Sequence, residues 1–208
     1  MEKIRVLNNI SSLLNEVNML SKSLQTEASM TDHEMIEQRD FLRTKLKNLW
    51  LSLDSDLGQH NAHFIIFALV AYIDETITTI FVKKNMIWPK LQKEMFDINV
   101  AGEKFYQLLD ALLSDPLFPK TVHYTFYLIL KFGFEGELID RGKKTKKSYM
   151  KELEEIIKAN IPDNRLKQDI SVKSIFTWKY YVAKYYIPIV AAVVAIVYFS
   201  SLYFLTAG

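Results

Sequence analysis

Residues 63–82 read HFIIFALVAYIDETITTIFV and form the most apolar stretch upstream of the chain's C-terminal end. Its large apolar side chains recur at the spacing of one helix face: Phe67, Val70, Ile77 and Phe81. Polar residues interrupt the run too often for it to cross a bilayer. The sequence therefore predicts a helix from Gln59 to about Lys83 that is buried at the centre of the fold.

Asp74 lies on the apolar face of this predicted helix, and Glu75 follows it. A carboxylate among apolar side chains is costly unless it is paired or hydrogen-bonded. Two interpretations stay open. Either Asp74 or Glu75 is a general base with a raised pKa, or Asp74 accepts hydrogen bonds from a neighbouring loop or an indole and locks two helices together. Glu75, about 100° further round the helix, is expected to be exposed, and both residues are candidates for a partner interface.

The chain before the central helix shows the same helical periodicity. Apolar residues recur at intervals of three and four between residues 5 and 28, which predicts an amphipathic helix. Thr31 and Glu34 have the spacing of a capping box, with threonine at the N-cap and glutamate at the third helical position. The helix that they open is expected to end near Gly58.

After the central helix, the pattern predicts further helices over residues 86–96, 102–114, 121–132 and 148–160. Pro89 is expected in the first turn of the first of these, where the missing N–H of proline breaks no bond. Gly133 is expected to close the third in a left-handed conformation. No segment alternates apolar and polar residues as a strand does. The sequence therefore predicts an all-α fold.

Residues 185–205, near the C-terminal end, carry no charge. About twenty helical residues are roughly 30 Å long, which matches the apolar core of a bilayer, so this segment is predicted to be a transmembrane helix. Lys179 and Lys184 precede it and no basic residue follows it, so the positive-inside rule places the N-terminal part in the cytoplasm. The expected division is a helical domain, a juxtamembrane segment, the span and a short tail: residues 1–175, 176–184, 185–205 and 206–208.

Ala191 and Ala195 are four residues apart within the predicted span. Small residues at this spacing let two transmembrane helices approach closely. The pair is therefore a candidate contact in a transmembrane dimer. The alternative is that these alanines only fill the helix and contact no second copy.

Composition excludes several classes of function. The 208 residues carry a net charge of +2, which is too close to neutral to indicate nucleic acid as the main partner. No cysteine is present, so disulfides, thiolate metal sites and cysteine nucleophiles are excluded. His60 and His63 have H-x-x-H spacing without a third ligand, and neither a phosphate-binding glycine loop nor a hydrolase motif occurs. No catalytic residue, metal or cofactor is expected.

Residues 141–147 form a basic segment with five positive charges in seven residues. Near an anionic leaflet each such charge adds about 1 kcal/mol of attraction, and the same charges suit an acidic protein partner. A solvated loop without a partner is the other interpretation. The lysines are candidate partner contacts: Lys143, Lys144, Lys146 and Lys147.

Four motifs agree in order and spacing with those of a known family. Residues 67–75, FALVAYIDE, resemble the "YALCALLDE" helix of the DotU/TssL (IcmH) family, and Trp88 falls where that family has its tryptophan. Residues 101–109, AGEKFYQLL, are similar to its "GGEKFFELL", and residues 128–136, LILKFGFEG, to its "LSLGFEG". These proteins are inner-membrane components of type VI and type IVB secretion systems. With the C-terminal span, the resemblance covers roughly residues 60–205.

The resemblance implies a hook-shaped cytoplasmic domain of two small helical bundles, one C-terminal transmembrane helix and no enzymatic activity. It implies a bacterial inner-membrane protein with a cytoplasmic N-terminal domain and a periplasmic tail. The expected partners are the large IcmF/TssM-type inner-membrane protein, cytoplasmic baseplate proteins and a second copy of the chain. The implied function is that of a structural adaptor between the membrane complex and the baseplate.

The resemblance also gives structural roles to the motif residues: Asp74, Trp88, Gly102, Phe105, Gly133, Phe134 and Gly136. Gly102 and Gly133 are expected to permit tight turns, and Glu135 is a candidate partner contact. Ala101 and Tyr106 depart from the glycine and phenylalanine of the family's motif, which changes little. Some members carry a peptidoglycan-binding extension after the span, and none is expected here.

Two other functions remain compatible with the sequence. A tail-anchored helical regulator would bind an amphipathic partner helix in an apolar groove. A membrane-tethered enzyme would use Asp74 or Glu75 as its base. The order and spacing of the motifs favour the secretion-system adaptor over both.

Overall fold

The computed structural model describes three ranges of the chain: residues 2–26, 30–136 and 144–159. Within these ranges the chain forms seven helices and no strand, so the predicted all-α class is confirmed. The helices are α1 (Glu2–Thr26), α2 (Asp32–Leu57), α3 (Gln59–Lys83), α4 (Leu91–Phe96), α5 (Ala101–Ser114), α6 (Lys120–Lys131) and α7 (Lys146–Lys158). The predicted span 185–205, with Ala191 and Ala195, lies outside the described residues, as does Lys143.

Helix α3 is the centre of the fold. More than half of its side chains are buried, and α1, α2, α4, α5 and α6 all pack against it, while α7 packs on α6. Among the described residues it is the one helix with the length and apolar character of a membrane span, but 72% of its most apolar window is buried inside the fold. The prediction of a central buried helix is therefore confirmed.

Helices α1 and α2 bury the faces that their periodicity predicts. The buried apolar residues of α1 are spaced at threes and fours: Val6, Ile10, Leu13, Leu14, Val17 and Leu24. Those of α2 follow the same rule: Leu42, Leu46, Leu49 and Leu53. Burial of such stripes against α3, rather than helix propensity alone, holds these helices in place.

The predicted capping box at the start of α2 is present. The Thr31 hydroxyl accepts from the Glu34 backbone N–H at 3.3 Å, and the Glu34 carboxylate accepts from the Thr31 N–H at 2.8 Å. The backbone hydrogen bond from Thr31 holds the pKa of Glu34 below its ordinary value. Gly58, with φ of 82°, separates α2 from α3, which is where the sequence predicts that α2 ends.

Two predicted helix starts are wrong. Helix α4 begins at Leu91 rather than near residue 86, so Pro89 lies in the extended segment before it and not in its first turn. Helix α7 begins at Lys146, because the Thr145 hydroxyl caps it by accepting from the Ser148 N–H at 3.2 Å. Lys146 and Lys147 are therefore helical, although the sequence placed them in a loop.

Candidate functional site

Asp74 is buried, with 2% of its surface exposed, and it accepts three hydrogen bonds. Its Oδ1 accepts from the Trp88 indole Nε1 at 2.8 Å and from the Leu91 backbone N–H at 2.9 Å. Its Oδ2 accepts from the Gln92 N–H at 2.7 Å. We call these four residues the Asp74 clasp. The clasp ties the α3–α4 segment and the first turn of α4 to the middle of α3, which agrees with the structural interpretation of Asp74.

Burial raises the pKa of Asp74 above its ordinary value, although the three hydrogen bonds act in the opposite direction. The Trp88 ring, which is part of the clasp, meets the Phe81 ring edge-on, with centroids 5.7 Å apart. Both rings are buried. The carboxylate is therefore buried against packed apolar side chains, and both of its oxygens already accept hydrogen bonds inside the fold, which contradicts its candidacy as a partner contact.

Gln92 extends the Asp74 clasp to the start of α5. Its side-chain oxygen accepts from the Ala101 N–H at 3.2 Å, and its side-chain amide donates to the Asn99 carbonyl. The link fixes the first turn of α5, which contains Gly102. Gly102 is helical and has no positive φ, so the expectation of a tight turn that requires glycine there is wrong.

Glu75 holds a different part of the chain. Its Oε1 accepts from the Glu135 N–H and its Oε2 from the Gly136 N–H, both at 2.7 Å. The Tyr106 hydroxyl donates to the Glu135 carbonyl at 2.8 Å, and burial raises the pKa of Tyr106, so this hydroxyl stays protonated. We call these four residues the Glu75 clasp. Glu75 is half-buried and both its oxygens are engaged, so the expectation that it is exposed and available to a partner is wrong.

The F-G-F-E-G segment at residues 132–136 contains two glycines, and the second, Gly136, belongs to the Glu75 clasp. Gly133 and Gly136 have φ of 107° and 60°, and Gly133 closes α6 as predicted. Between them Phe134 points into the core, where its ring centroid lies 4.4 Å from that of Phe105. A Cβ at Gly136 would lie 2.9 Å from Phe134 Cε1 and 3.0 Å from Tyr106 Cε2. Glycine is therefore required here by backbone conformation and by space.

The remaining candidate residues lie at or near the surface around the start of α7. The Lys146 ammonium lies 2.7 Å from the Glu135 carboxylate, which is 75% exposed, and the Lys144 ammonium lies 2.9 Å from that of Glu152. Lys147 is exposed in the first turn of α7. We call Glu135, Lys144, Lys146 and Lys147 the α7 ridge. It lies directly outside the Glu75 clasp, since Glu135 belongs to both.

The segments that form the two clasps all lie within the range of one family match. Residues 10–206 match the family described as type VI secretion system protein DotU. The chain belongs to the DotU family. It is thus a component of a type VI secretion system, and the DotU/TssL family is a structural part of that system's membrane complex.

Two solved structures share the fold of this DotU family member. DotU from Francisella novicida has a TM-score of 0.65 and 23% sequence identity, and the match covers 76% of this chain and 100% of that one. SciP/TssL from enteroaggregative Escherichia coli 042 has a TM-score of 0.56 and 17% identity, over 74% and 89% of the two chains. No curated protein matches the sequence. At these identities the structural neighbours show the helical fold.

The DotU motifs are joined by hydrogen bonds that span long stretches of sequence. Asp74 and Glu75 are adjacent on α3, yet they bind different parts of the chain. Asp74 accepts from residues 14 to 18 positions downstream, whereas Glu75 accepts from residues 60 and 61 positions downstream. The consecutive acids of the helix motif therefore hold two separate segments, the tryptophan segment and the F-E-G segment. The tyrosine of the third motif, Tyr106, completes the second clasp.

Glu75 gives a pH-dependent prediction. Burial holds its pKa above the ordinary value of 4.5 despite the two N–H donors, so the folded chain binds this proton more tightly than the unfolded chain. The stability that this proton contributes is fully present below the pKa of Glu75 in the unfolded chain. It is lost as pH rises through the pKa of Glu75 in the folded chain. We expect Glu75→Gln to become more stable relative to wild type as pH rises from about 4 to 7, because only wild type loses the contribution of this proton.

The measurement is thermal unfolding of both full-length proteins in detergent, followed by circular dichroism across that pH range. Asp74 titrates in both proteins, and its contribution cancels in the difference. A difference that moves in favour of wild type with rising pH would show instead that the two N–H donors outweigh burial and lower the pKa of Glu75.

Proposed function

We propose that the chain is the adaptor that ties an IcmF/TssM-type inner-membrane protein to the cytoplasmic baseplate of a type VI secretion system. The observation that carries the proposal is the family match over residues 10–206, which extends from the helical domain through the predicted span at residues 185–205. The two clasps support it, because they use carboxylates to fix the shape of the domain. Each of the four carboxylate oxygens accepts from a backbone or indole N–H, so neither acid is placed as a general base.

The proposed organisation follows the divisions of the sequence: residues 1–175 in the cytoplasm, 176–184 at the membrane surface, 185–205 across the inner membrane and 206–208 in the periplasm. Lys179 and Lys184, on one side of the span, support this orientation. A homodimer within the membrane would use Ala191 and Ala195, whose small side chains allow close helix packing.

The α7 ridge is the proposed contact with an acidic partner surface. Its lysines are close in sequence around the start of α7, and Lys147 is exposed there. The ion pairs of Lys144 and Lys146 with glutamates orient those two side chains. Exposed charges of this kind set the rate and the specificity of association more than its total strength. Lys147 is therefore the residue whose charge can be reversed with the least effect on the fold.

Affinity purification from native membranes tests the proposal. The tagged wild-type chain is expected to copurify with a much larger inner-membrane protein and with baseplate proteins, identified by mass spectrometry. Lys147→Glu is expected to fold normally and to recover several-fold less of one partner, because it places like charges against each other. Lys47→Glu is the matched control, since Lys47 is an exposed lysine of α2 far from the ridge in sequence.

The outcomes test the adaptor function and the proposed contact surface separately. If the chain purifies alone from cells that secrete actively, the adaptor function is wrong. If partners copurify equally well with wild type and Lys147→Glu, the α7 ridge is not the interface, and the adaptor must use another surface. Deletion of residues 185–205 is expected to abolish secretion while the helical domain stays folded.

A further inference from the structure

The turn between α3 and α4 exposes apolar side chains that have no role in the clasps. Val82 is 65% exposed and Ile87 is 86% exposed, and Pro89 beside them is also at the surface. A single exposed aliphatic residue is common and needs no explanation. Here they occur together on residues 82–90, which we call the α3–α4 tip.

The α3–α4 tip is fixed at both ends. At the end of α3 the Met86 N–H donates to the Phe81 carbonyl at 2.9 Å, and Asn85 adopts a left-handed conformation with φ of 55°. After Ile87 the chain is held by the Trp88 indole in the Asp74 clasp. Ile87 therefore projects from a turn that is anchored on each side by hydrogen bonds, and little ordering entropy is lost when it contacts a surface.

The α3–α4 tip carries basic residues and no acidic residue, and it is bordered by the Arg39–Glu94 ion pair, since the Arg39 Nε donates to the Pro89 carbonyl at 2.7 Å. Residues 76–93 contain four lysines and no acidic residue, whereas the whole chain has a net charge of only +2. Lys93 forms an exposed ion pair with Asp97. The other three lysines lie within the tip itself: Lys83, Lys84 and Lys90. Lys83 and Lys90 are exposed.

We propose that the α3–α4 tip rests on an anionic lipid surface, with Val82 and Ile87 in the interfacial layer and the lysines among the headgroups. Aliphatic side chains flanked by lysines suit this layer, because the lysine stems bury along apolar surface while the ammonium groups reach the phosphates. A protein partner fits less well. A stable protein interface buries about 800 Å² on each side and is rich in exposed aromatic anchors, and the tryptophan of the tip is buried at 5% exposure.

Single-cysteine fluorescence tests this proposal in the full-length chain, which has no cysteine of its own. Ile87→Cys carries an environment-sensitive fluorophore and is reconstituted into vesicles of phosphatidylcholine with phosphatidylglycerol, or of phosphatidylcholine alone, with brominated lipid in both leaflets as quencher. The matched control is Leu117→Cys, because Leu117 in the α5–α6 connection is 87% exposed. We expect blue-shifted, quenched emission at position 87 in the anionic vesicles, and neither change at position 117.

A second variant tests the role of charge. Adding Lys83→Gln to the labelled protein is expected to lower the ratio of docked to undocked tips about fivefold, which corresponds to one lysine near an anionic surface. Equal quenching at positions 87 and 117, or quenching at 87 that does not depend on anionic lipid, overturns the proposal. It is also overturned if position 87 is unquenched in vesicles but is protected from a water-soluble maleimide in native membranes, since a protein would then cover the tip.

Discussion

Replacing Asp74 by alanine is expected to lower the free energy of unfolding by about 3 kcal/mol, because three buried donors lose their acceptor at once. The donors are the Trp88 indole and the backbone N–H groups of Leu91 and Gln92, and a methyl group can accept from none of them. The loss is smaller than three separate hydrogen bonds would give. Removing the carboxylate also relieves the cost of burying its charge, which is the cost that raises its pKa.

Asp74→Asn and Trp88→Phe are the matched controls for this prediction. Asparagine can keep an oxygen for Trp88 and Leu91 but turns its NH₂ group toward the Gln92 N–H, so we expect about half the loss. Trp88→Phe removes one donor and leaves the other two in place, at a cost of about 1 kcal/mol. Thermal unfolding of the full-length proteins in detergent ranks the variants. An alanine variant within about 0.5 kcal/mol of wild type would place Asp74 among ordinary surface residues and refute the clasp.

Loss of the Asp74 clasp is expected to affect secretion as well as stability. The clasp positions the α3–α4 tip through Trp88 and the start of α5 through Gln92. If Asp74 were instead the general base of an enzyme, the asparagine variant would keep its fold and its partners and would lose only catalytic activity. Reduced stability together with reduced recovery of partners is the result that the structural interpretation predicts.

The environment of Asp74 could be predicted from sequence because it follows from one helix. A carboxylate on the apolar face of α3 must be buried, and a buried carboxylate needs donors. The indole and loop N–H groups of residues 88–92 are the donors that follow α3 in the chain. Periodicity alone therefore led to the right kind of bond, without showing which N–H groups form it.

The environment of Glu75 could not be predicted in the same way. Helix geometry places it beside the buried face, and its donors at residues 135 and 136 come from the segment that follows α6. Periodicity describes only one element at a time and does not show which loop returns to cover α3. The signal present in the sequence is Gly136, since a glycine after F-E indicates a turn whose N–H groups can converge on an anion.

The helix starts that were predicted wrongly have a shared cause. Pro89 and Lys146 both occur in segments whose local propensity is compatible with a helix or with a loop. The residue at which each helix begins is set by the side chain that accepts from its first N–H groups. This side chain is Asp74 for α4 and Thr145 for α7. The cap of α4 lies in another helix, so the sequence near Pro89 does not contain it.

Gly136→Ala is expected to destabilise the chain by about 3 kcal/mol, the sum of a strained backbone and a steric clash. A left-handed φ of 60° costs about 1 kcal/mol for alanine. The new Cβ would also lie 2.9 Å from the Phe134 ring and 3.0 Å from the Tyr106 ring. Neither ring can easily move, because Phe134 is packed against Phe105 and the Tyr106 hydroxyl is bound to the Glu135 carbonyl.

Gly133→Ala separates the two contributions, since Gly133 also has a positive φ but no atom lies within 4 Å of the position that an alanine methyl group would take there. It is expected to lose only the backbone contribution of about 1–2 kcal/mol. Phe134→Leu in the Gly136→Ala background removes the ring atoms that clash, so the double variant should be more stable than the sum of the single losses by about 1 kcal/mol or more. Thermal unfolding of wild type, Gly136→Ala, Phe134→Leu and the double variant measures this coupling. Additive losses would mean that glycine is required at position 136 for its φ alone, and that a methyl group there fits beside the Phe134 and Tyr106 rings.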